Sequence, residues 1–555
     1  MDMGDALERY LDQHRTELDT ELCTWPAEPG LFTRANANDQ WPRPITPLTQ
    51  DLIGLPMERG IGVAFSQVLG VAPDHGPWTW NAVFYGWYTF AVEPAAAMAD
   101  NLPGWSRAGV YGDYFGVAED PDAPPAAATG GASPLALAKI GVNFSKALRS
   151  YPKHSARDRV AAHARLRVDL DRDWSAVSDA ELLGRLRAHT DEATRARVPH
   201  VLASVISAPI FKKANEMAAS FAGEEATGLL TAAVTGLGGI HMQEATAALG
   251  DVARGTLTRE EFLDQFGFRG FNEFELSAKP WRDDPETLDK LIARSAPRTE
   301  HSTAVRDEAR AKLQAAAGRR WVVFRRLLAM AETHMRWREN GKVPLAMQTH
   351  SIRLVVREVA RRLVERGRLT TPDDVHHLRL AELLDELEGR PVADLADRIA
   401  RRRRTHELAQ DLPLPEMIDA RPGALSVITP ERWRGLGVLP PVENAAGRDR
   451  LVGAPGSPGR HTGRARIVRD PSAVDLDEGD VIVAAGTDSA WTALFFQASA
   501  VVVDVGGPMS HSAIAAREIG IPCVVNVKDG TTGIREGQSI TVDGDTGEVL
   551  LLETV

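Results

Sequence analysis

The 555-residue chain is poor in the features that mark several protein classes. It has two cysteines, Cys23 and Cys523, far apart and outside any Cys-x-x-Cys pair. That excludes a disulfide framework and a thiolate zinc site, and it fits a reducing, cytoplasmic compartment. No uninterrupted apolar run of about 18 residues occurs, so no membrane span is expected. The first residues, Met1-Asp-Met-Gly-Asp-Ala-Leu-Glu-Arg9, are acidic rather than apolar and make no signal peptide. Phosphate loops of the Gly-x-x-x-x-Gly-Lys-[Ser/Thr] type are missing, as is Gly-x-Gly-x-x-Gly after a strand. With a net charge of −12, no basic stripe interleaves with aromatics. The one basic cluster, Arg401-Arg-Arg-Arg404, reads as a solvated helix face or helix end, so no nucleic-acid partner is expected.

What is present is ordinary for a globular protein of two to four domains: 43% hydrophobic and 25% charged residues. Residues 1–35 read as a short polar helix. The segment Asn36-Ala-Asn-Asp-Gln-Trp-Pro-Arg-Pro-Ile-Thr-Pro-Leu48 holds three prolines in six residues and must run extended, like a linker. Aromatics gather at Trp78, Trp80, Phe84, Tyr85, Trp87, Tyr88, Phe90 and Trp105, where Asn81 to Val92 reads as one or two strands. These rings are either core or the lining of an apolar pocket. Residues 119–134 form a Pro-, Ala-, Gly- and Ser-rich loop. From about 135 to 410 the pattern is helical. Trp321, Phe324, Leu328, Ala331 and Met335 mark one buried face, and Ile352, Val355, Val359 and Leu363 mark another, with Arg353, Arg357 and Arg361 elsewhere. Residues 411–455 read as a Pro- and Gly-rich hinge. From 456 to 555 short apolar runs alternate with turns, as in a compact β/α domain. The fold class is α+β and multidomain.

One stretch stands out. Ala500 to Val505 is a buried-strand pattern, Gly506 and Gly507 break it, Ser510 can cap a helix, and Gly520 with Pro522 end that helix. This puts His511 in the first turn of a helix behind a strand, where free N–H groups and the helix dipole suit an anion such as phosphate. Two further motifs lie in the helical region. Arg338-Glu339-Asn-Gly-Lys342 sets two cations four residues apart, fit either for clamping a phosphoryl group or for a plain exposed helix end. Arg supplies a bidentate fork and Lys a point charge, while Glu339 could orient a cation or accept a hydroxyl proton. The run Gly267-Phe-Arg269-Gly-Phe-Asn-Glu273-Phe-Glu275-Leu-Ser-Ala-Lys-Pro-Trp281-Arg-Asp-Asp-Pro285 is either a buried salt-bridged turn or part of a binding site. His376 and His377 look structural, since no carboxylate or Cys pattern completes a metal site.

Gly-Gly-x-x-Ser-His-x-Ala-Ile-x-Ala-Arg-Glu-x-Gly-Ile-Pro, residues 506–522, closely resembles the signature of the swivelling phosphohistidine domain of the phosphoenolpyruvate-utilising enzymes. That family includes phosphoenolpyruvate synthase, pyruvate phosphate dikinase and the rifampicin phosphotransferases. Gly463-Arg-Ala-Arg466 and Thr487-Asp-Ser-Ala-Trp491-Thr492 are similar to the same domain, with Ala493 where relatives usually have Pro. The Arg338-to-Lys342 motif, the Arg269-to-Pro285 run, Gly367 to Leu383 and Pro42 to Leu48 resemble rifampicin phosphotransferase-like segments, so the likeness covers about residues 36–553.

The resemblance implies that His511 carries a phosphoryl group, helped by Thr487, Ser510, Gly506 and Gly507. Arg338, Lys342 and Glu339 would serve transfer, and Arg269, Glu273, Glu275 and Trp281 would lie near an acceptor. It implies an acceptor-binding domain over 36–410 and a swivelling domain over 456–555. In such proteins an ATP-grasp domain precedes the Pro-rich segment. The residues before it here are too few to hold one, so ATP and Mg²⁺ are expected on an ATP-grasp partner, as in phenylphosphate synthase, with no cofactor bound by this chain. The acceptor is expected to be a hydroxyl of an apolar small molecule. A ligand- or partner-binding relative, and a ligase using a phosphorylated intermediate as in prodigiosin-forming enzymes, are the alternatives.

Overall fold

A computed structural model of the chain describes residues 3–27, 29–34, 37–71, 80–99, 133–235, 237–293, 295, 299–428, 449–507 and 510–552. Trp78, Trp105, most of the 119–134 loop and residues 429–448 of the 411–455 hinge lie outside the described residues.

The body is built on long helices, Pro134–Leu170, Asp179–Ala222, Trp321–Asn340 and Val343–Glu365. Phe324, Leu328, Ala331 and Met335 are buried, as their spacing predicts, and helix Trp321–Asn340 packs along Asp179–Ala222. Ile352, Val355, Val359 and Leu363 are buried in the same way. Arg353 differs from expectation. It is buried, and its guanidinium donates to the carbonyls of Glu273, Glu275 and Leu276, tying helix Val343–Glu365 to the 267–285 run. Three backbone acceptors in one place make this arginine an internal strut rather than a surface charge. Among the described residues no helix is long and apolar enough to cross a membrane.

A five-stranded antiparallel sheet stands at one side. Its strands are β1 (Gly30–Thr33), β2 (Asn81–Phe84), β3 (Trp87–Ala91), β4 (Met417–Arg421) and β5 (Ala424–Val427), in the order β2-β3-β1-β4-β5. Tyr85 and Gly86, both at positive φ, turn the β2–β3 hairpin through the two-residue loop that strand twist favours. Trp80, Phe84, Tyr85, Trp87 and Tyr88 are buried, which settles those rings as core. The sheet also revises two expected boundaries. Residues 1–35 contain helix Met3–Gln13 but also β1, and the first part of the 411–455 hinge supplies β4 and β5. Pro413 and Pro415 gave that part a linker composition, yet Met417 to Ala420 are buried and pair with β1.

The arginine run is a solvated helix face, as its composition suggests, except at Arg402, and each of its members meets a carboxylate. On helix Leu395–Ala409, Arg401 meets Asp19 at 2.9 Å, Arg402 meets Glu382 at 2.5 Å, Arg403 meets Asp374, and Arg404 meets Glu17 at 2.7 Å. Arg402 is buried and also donates to the His377 carbonyl.

The C-terminal sheet has eight strands: β6 (Arg450–Val452), β7 (Ala454–Ser457), β8 (Arg460–Ile467), β9 (Val481–Ala484), β10 (Ala500–Val503), β11 (Cys523–Val525), β12 (Ser539–Asp543) and β13 (Glu548–Leu551), in the order β6-β13-β12-β8-β9-β10-β11-β7. Neighbours from β8 to β11 run parallel. The continuous apolar character of β9 and β10 follows from burial on both faces. Helix His511–Ile519 crosses between β10 and β11 and ends at Gly520, whose φ of 79° allows the closing bonds to the Ala516 carbonyl from Gly520 and Ile521.

This domain is docked on the body. Ile514 joins an apolar cluster with Leu230, Phe324, Leu328 and Met335, and Trp491 and Phe495 share a cluster with Phe262, Phe271 and Trp281. Cutting a buried ion pair leaves an uncompensated charge, so Arg402→Ala should lower the stability of the full chain to urea by about 2–3 kcal/mol. Arg404→Ala, at a surface pair, should cost less than about 0.5 kcal/mol in the same titration.

Candidate active site at the seam between the domains

Three elements from distant parts of the chain converge. Helix Trp321–Asn340 ends at Gly341, and Pro344 in the first turn of the next helix makes the junction tight. Arg338, Glu339 and Lys342 sit at that junction. A Cβ on Gly341 would stand 3.0 Å from the Trp337 carbonyl, a tight contact that leaves little room for a side chain there. The turn after Arg34, held by Asn38 and Trp41 N–H bonds to the carbonyls of Arg34 and Ala37, presents Asp39. The docked helix presents His511.

The His511 ring is buried between these groups. Nδ1 lies 3.6 Å from Glu339 Oε2, and Nε2 lies 3.2 Å from the Thr492 hydroxyl. That hydroxyl is also 2.9 Å from the Ser489 carbonyl. One hydroxyl hydrogen cannot serve both, so the ring tautomer and the Thr492 rotor are coupled. The backbone N–H of His511 donates to Asp39 Oδ1 at 3.3 Å, and Asp39 Oδ2 lies 3.7 Å from Arg338 Nη2. Arg338 also approaches Glu339 at 4.0 Å.

Lys342 is 3% exposed, and its Nζ has no hydrogen-bond partner within the protein. Ser510 Oγ, Glu339 Oε1 and His511 Nδ1 are likewise buried without hydrogen-bond partners. Leaving such groups unmade costs about 1–3 kcal/mol each, more when charged. Here four such groups stand side by side, one of them the Lys342 ammonium, which is an arrangement that a ligand could satisfy. Burial alone would raise the Glu339 carboxyl, but Lys342, His511 and Arg338 outweigh it and hold the group well below the usual carboxylate range. Burial, then Lys342 and Arg338, push neighbouring His200 down to about 3, so this ring is neutral beside the cations.

Several expected residues take positions of their own. Ser510 is the N-cap by position but makes no capping bond; its hydroxyl stays without a hydrogen-bond partner, while Asp39 accepts from the His511 N–H beside it. Gly506 sits at φ 123°, where a Cβ would stand 3.0 Å from the Ser510 side chain, and the Gly507 carbonyl accepts from the Ser510 N–H. Thr487 pairs with the Ser512 hydroxyl at 2.8 Å. The remaining four residues are bound into the framework. Arg269 and Glu273 form a fully buried pair at 2.6 Å, and the Glu275 carboxylate is held by Thr46, Thr49 and Ser277. Trp281 is buried against Phe262. Their side chains build the platform on which the C-terminal domain rests: Asp488 Oδ2 accepts the Asn272 N–H at 2.6 Å, with Asn272 at φ 53°.

Sequence reasoning gave no role to Asp39, Thr492, His200 or Asp488. Asp39 lies 472 residues from His511 and precedes the Pro-rich segment that reads as a linker. Its one signal was the adjacent Trp41, which is buried against Tyr88.

Comparison with known proteins agrees with this geometry. Residues 476–547, which contain His511, match the mobile domain of the PEP-utilising enzymes, and residues 256–339, ending at Arg338 and Glu339, match the fourth domain of rifampicin phosphotransferase. The chain thus carries the mobile domain of the PEP-utilising enzymes. Within that group it resembles the rifampicin phosphotransferases. Rifampicin phosphotransferase of Streptomyces sviceus is 30% identical over 57% of this chain and 37% of its own length. The prodigiosin synthesizing transferase of Serratia marcescens is 33% identical over 52% of this chain and 33% of its own. An uncharacterised protein of Mycobacterium tuberculosis is 35% identical over 52% of this chain and 31% of its own. The chain spans about a third of the length of the curated relatives it matches.

Three carboxyls at the seam are pushed up to about 7, each chiefly by burial: Asp488, with Glu273 adding to the effect, Asp504, and Glu416 beside Lys528 and Arg34. An acid whose docked pKa is raised binds its proton more tightly when docked. Docking should therefore be strongest at about pH 4, near the ordinary carboxyl range, and weaken as pH rises to about 7. Inter-domain energy transfer across that window should fall, and Asp488→Asn should flatten the profile; contact that tightens with rising pH would contradict it.

Proposed function

We propose that this protein is a phosphotransferase component in which His511 carries a phosphoryl group from an ATP-grasp nucleotide-binding unit to a hydroxyl of an apolar small molecule. The observation that carries this reading is Lys342, a buried cation without a hydrogen-bond partner, set with Arg338 beside a histidine at a helix N-terminus. A phosphoryl oxygen would supply the hydrogen-bond acceptor that Lys342 lacks. The mobile domain and the rifampicin phosphotransferase likeness support the same chemistry.

Of the two ring nitrogens, Nδ1 faces the Glu339 carboxylate, which repels a phosphoryl group. Nε2 is therefore the carrier atom, with Nδ1–H directed at Glu339 to hold the tautomer. On charging, the Nε2 lone pair forms the N–P bond as the donor's P–O bond breaks. In transfer, the acceptor oxygen bonds to phosphorus and the P–N pair returns to Nε2, which takes up the hydroxyl proton. The resulting imidazolium is paired by Glu339. Arg338 and Lys342 neutralise the equatorial oxygens, which is most of what phosphoryl transfer asks of a protein. Glu339, held strongly ionised, is a poor base and acts by orientation. ATP and Mg²⁺ belong to the nucleotide-binding unit. The likeness to the prodigiosin synthesizing transferase favours a second reading, a ligase using a phosphorylated intermediate, which product analysis separates from the first.

The test is to incubate the full chain with separately expressed ATP-grasp proteins from its genomic neighbourhood and β- or γ-labelled ATP. Acid-labile label should appear on wild type and be absent from His511→Ala. Arg338→Met and Lys342→Met should still accept label but release it to acceptor about 10²-fold more slowly or worse. No label on wild type with any neighbour overturns the proposal.

A further inference from the structure

The anion position at the His511 helix is already filled by the protein itself. Asp39 Oδ1 accepts the His511 N–H while Oδ2 faces Arg338, so one carboxylate spans the two groups best suited to hold a phosphoryl oxygen. The turn that presents it is anchored at its base by the Asn38 and Trp41 backbone bonds and abuts Gly486 of the docked domain through Asn38 and Pro42. Among the described residues the local charges balance: Arg338 and Lys342 against Asp39 and Glu339. A phosphoryl group adds roughly two negative charges at neutral pH. With both carboxylates in place it enters a site already neutral.

We propose that Asp39 is the resident anion of the transfer site, a positioning residue that occupies the phosphoryl slot between the His511 helix N-terminus and Arg338 when His511 is unloaded and gives way to the phosphoryl group when it is loaded. The proposal rests on the reading of His511 as a phosphocarrier. Glu339 cannot play this part, because it faces the ring nitrogen rather than the helix N–H. The Asp39 carboxylate holds the unloaded domain in register, and its competition with phosphate keeps free phosphate out of the same slot. The unpartnered Ser510 hydroxyl and Lys342 ammonium then meet the incoming oxygens.

The probe is inorganic phosphate, titrated calorimetrically into the full chain at fixed ionic strength. Asp39→Asn removes the charge at nearly constant shape and should tighten phosphate binding by about tenfold or more. Asp39→Ser should do the same by emptying the slot, and adding Arg338→Met to either should erase the gain. A merely structural aspartate would give the opposite sign, since a loosened site binds worse. Wild-type or weaker phosphate affinity in both single variants overturns the proposal. Tightened binding with no label on His511 would keep the anion slot and end the phosphocarrier reading. Label on His511 with phosphate affinity unchanged would end the role of Asp39 alone.

Discussion

Two cations, the partly buried Arg338 and the buried Lys342, stand within one turn of each other, and much of the molecule is arranged so that they can. Like charges brought out of water need compensation at short range. Glu339 provides part of it from the same turn, and Asp39 provides the rest from a segment about three hundred residues earlier in the sequence. The Gly341 junction, the anchored turn at residues 37–41 and the neutral His200 each follow from this requirement. A Cβ on Gly341 would press on the Trp337 carbonyl and touch the His200 ring. A protonated His200 would add a third positive charge.

The seam explains the position of the densest motif in the helical region. Gly267 to Pro285 is packed with charge and aromatics, yet its polar side chains are engaged internally, through Arg269 with Glu273 and through Glu275 with two threonines. What it offers outward is backbone, the Asn272 N–H received by Asp488, and the Phe271 ring against Trp491. Backbone held by a buried ion pair makes a rigid surface. Asp488 adds reversibility, because its protonation depends on whether the seam is closed. A mobile domain requires a dock that is specific but weak, and one short charged hydrogen bond beside an apolar patch meets that demand.

Legibility in the sequence followed range of interaction. Strands β8 to β13 and the His511 helix were readable because each is a local pattern of apolar run, glycine break and cap. Helix faces at Phe324 to Met335 were readable for the same reason. What failed was non-local. β4 was hidden between prolines and becomes a strand only because β1 lies beside it. Arg402 read as part of a solvated face and Arg353 only as lying off the apolar stripe, since nothing in a helical repeat shows that a glutamate or three carbonyls await the guanidinium. In the site, Arg338, Glu339, Lys342 and His511 were visible as motifs. Asp39 and Thr492 were not, because their role exists only once the domains meet.

The ionisation of Glu339 bears on how the site does its work. A carboxylate held far below its ordinary range is a weak base near neutrality, so general-base removal of a hydroxyl proton by Glu339 would contribute little. The same property suits a different task. A strongly ionised group beside Nδ1 keeps the ring proton on that side and leaves Nε2 free. On the proposed reading it would also pair the positive ring left when a phosphoryl group departs. Metaphosphate-like transfer demands little of a base and much of the surrounding charge. On the proposed reading, Arg338 and Lys342, an imidazole whose Nδ1 faces Glu339 and an Asp39 carboxylate that yields its place would act as one device, in which charge arranged before the reaction carries most of the transfer.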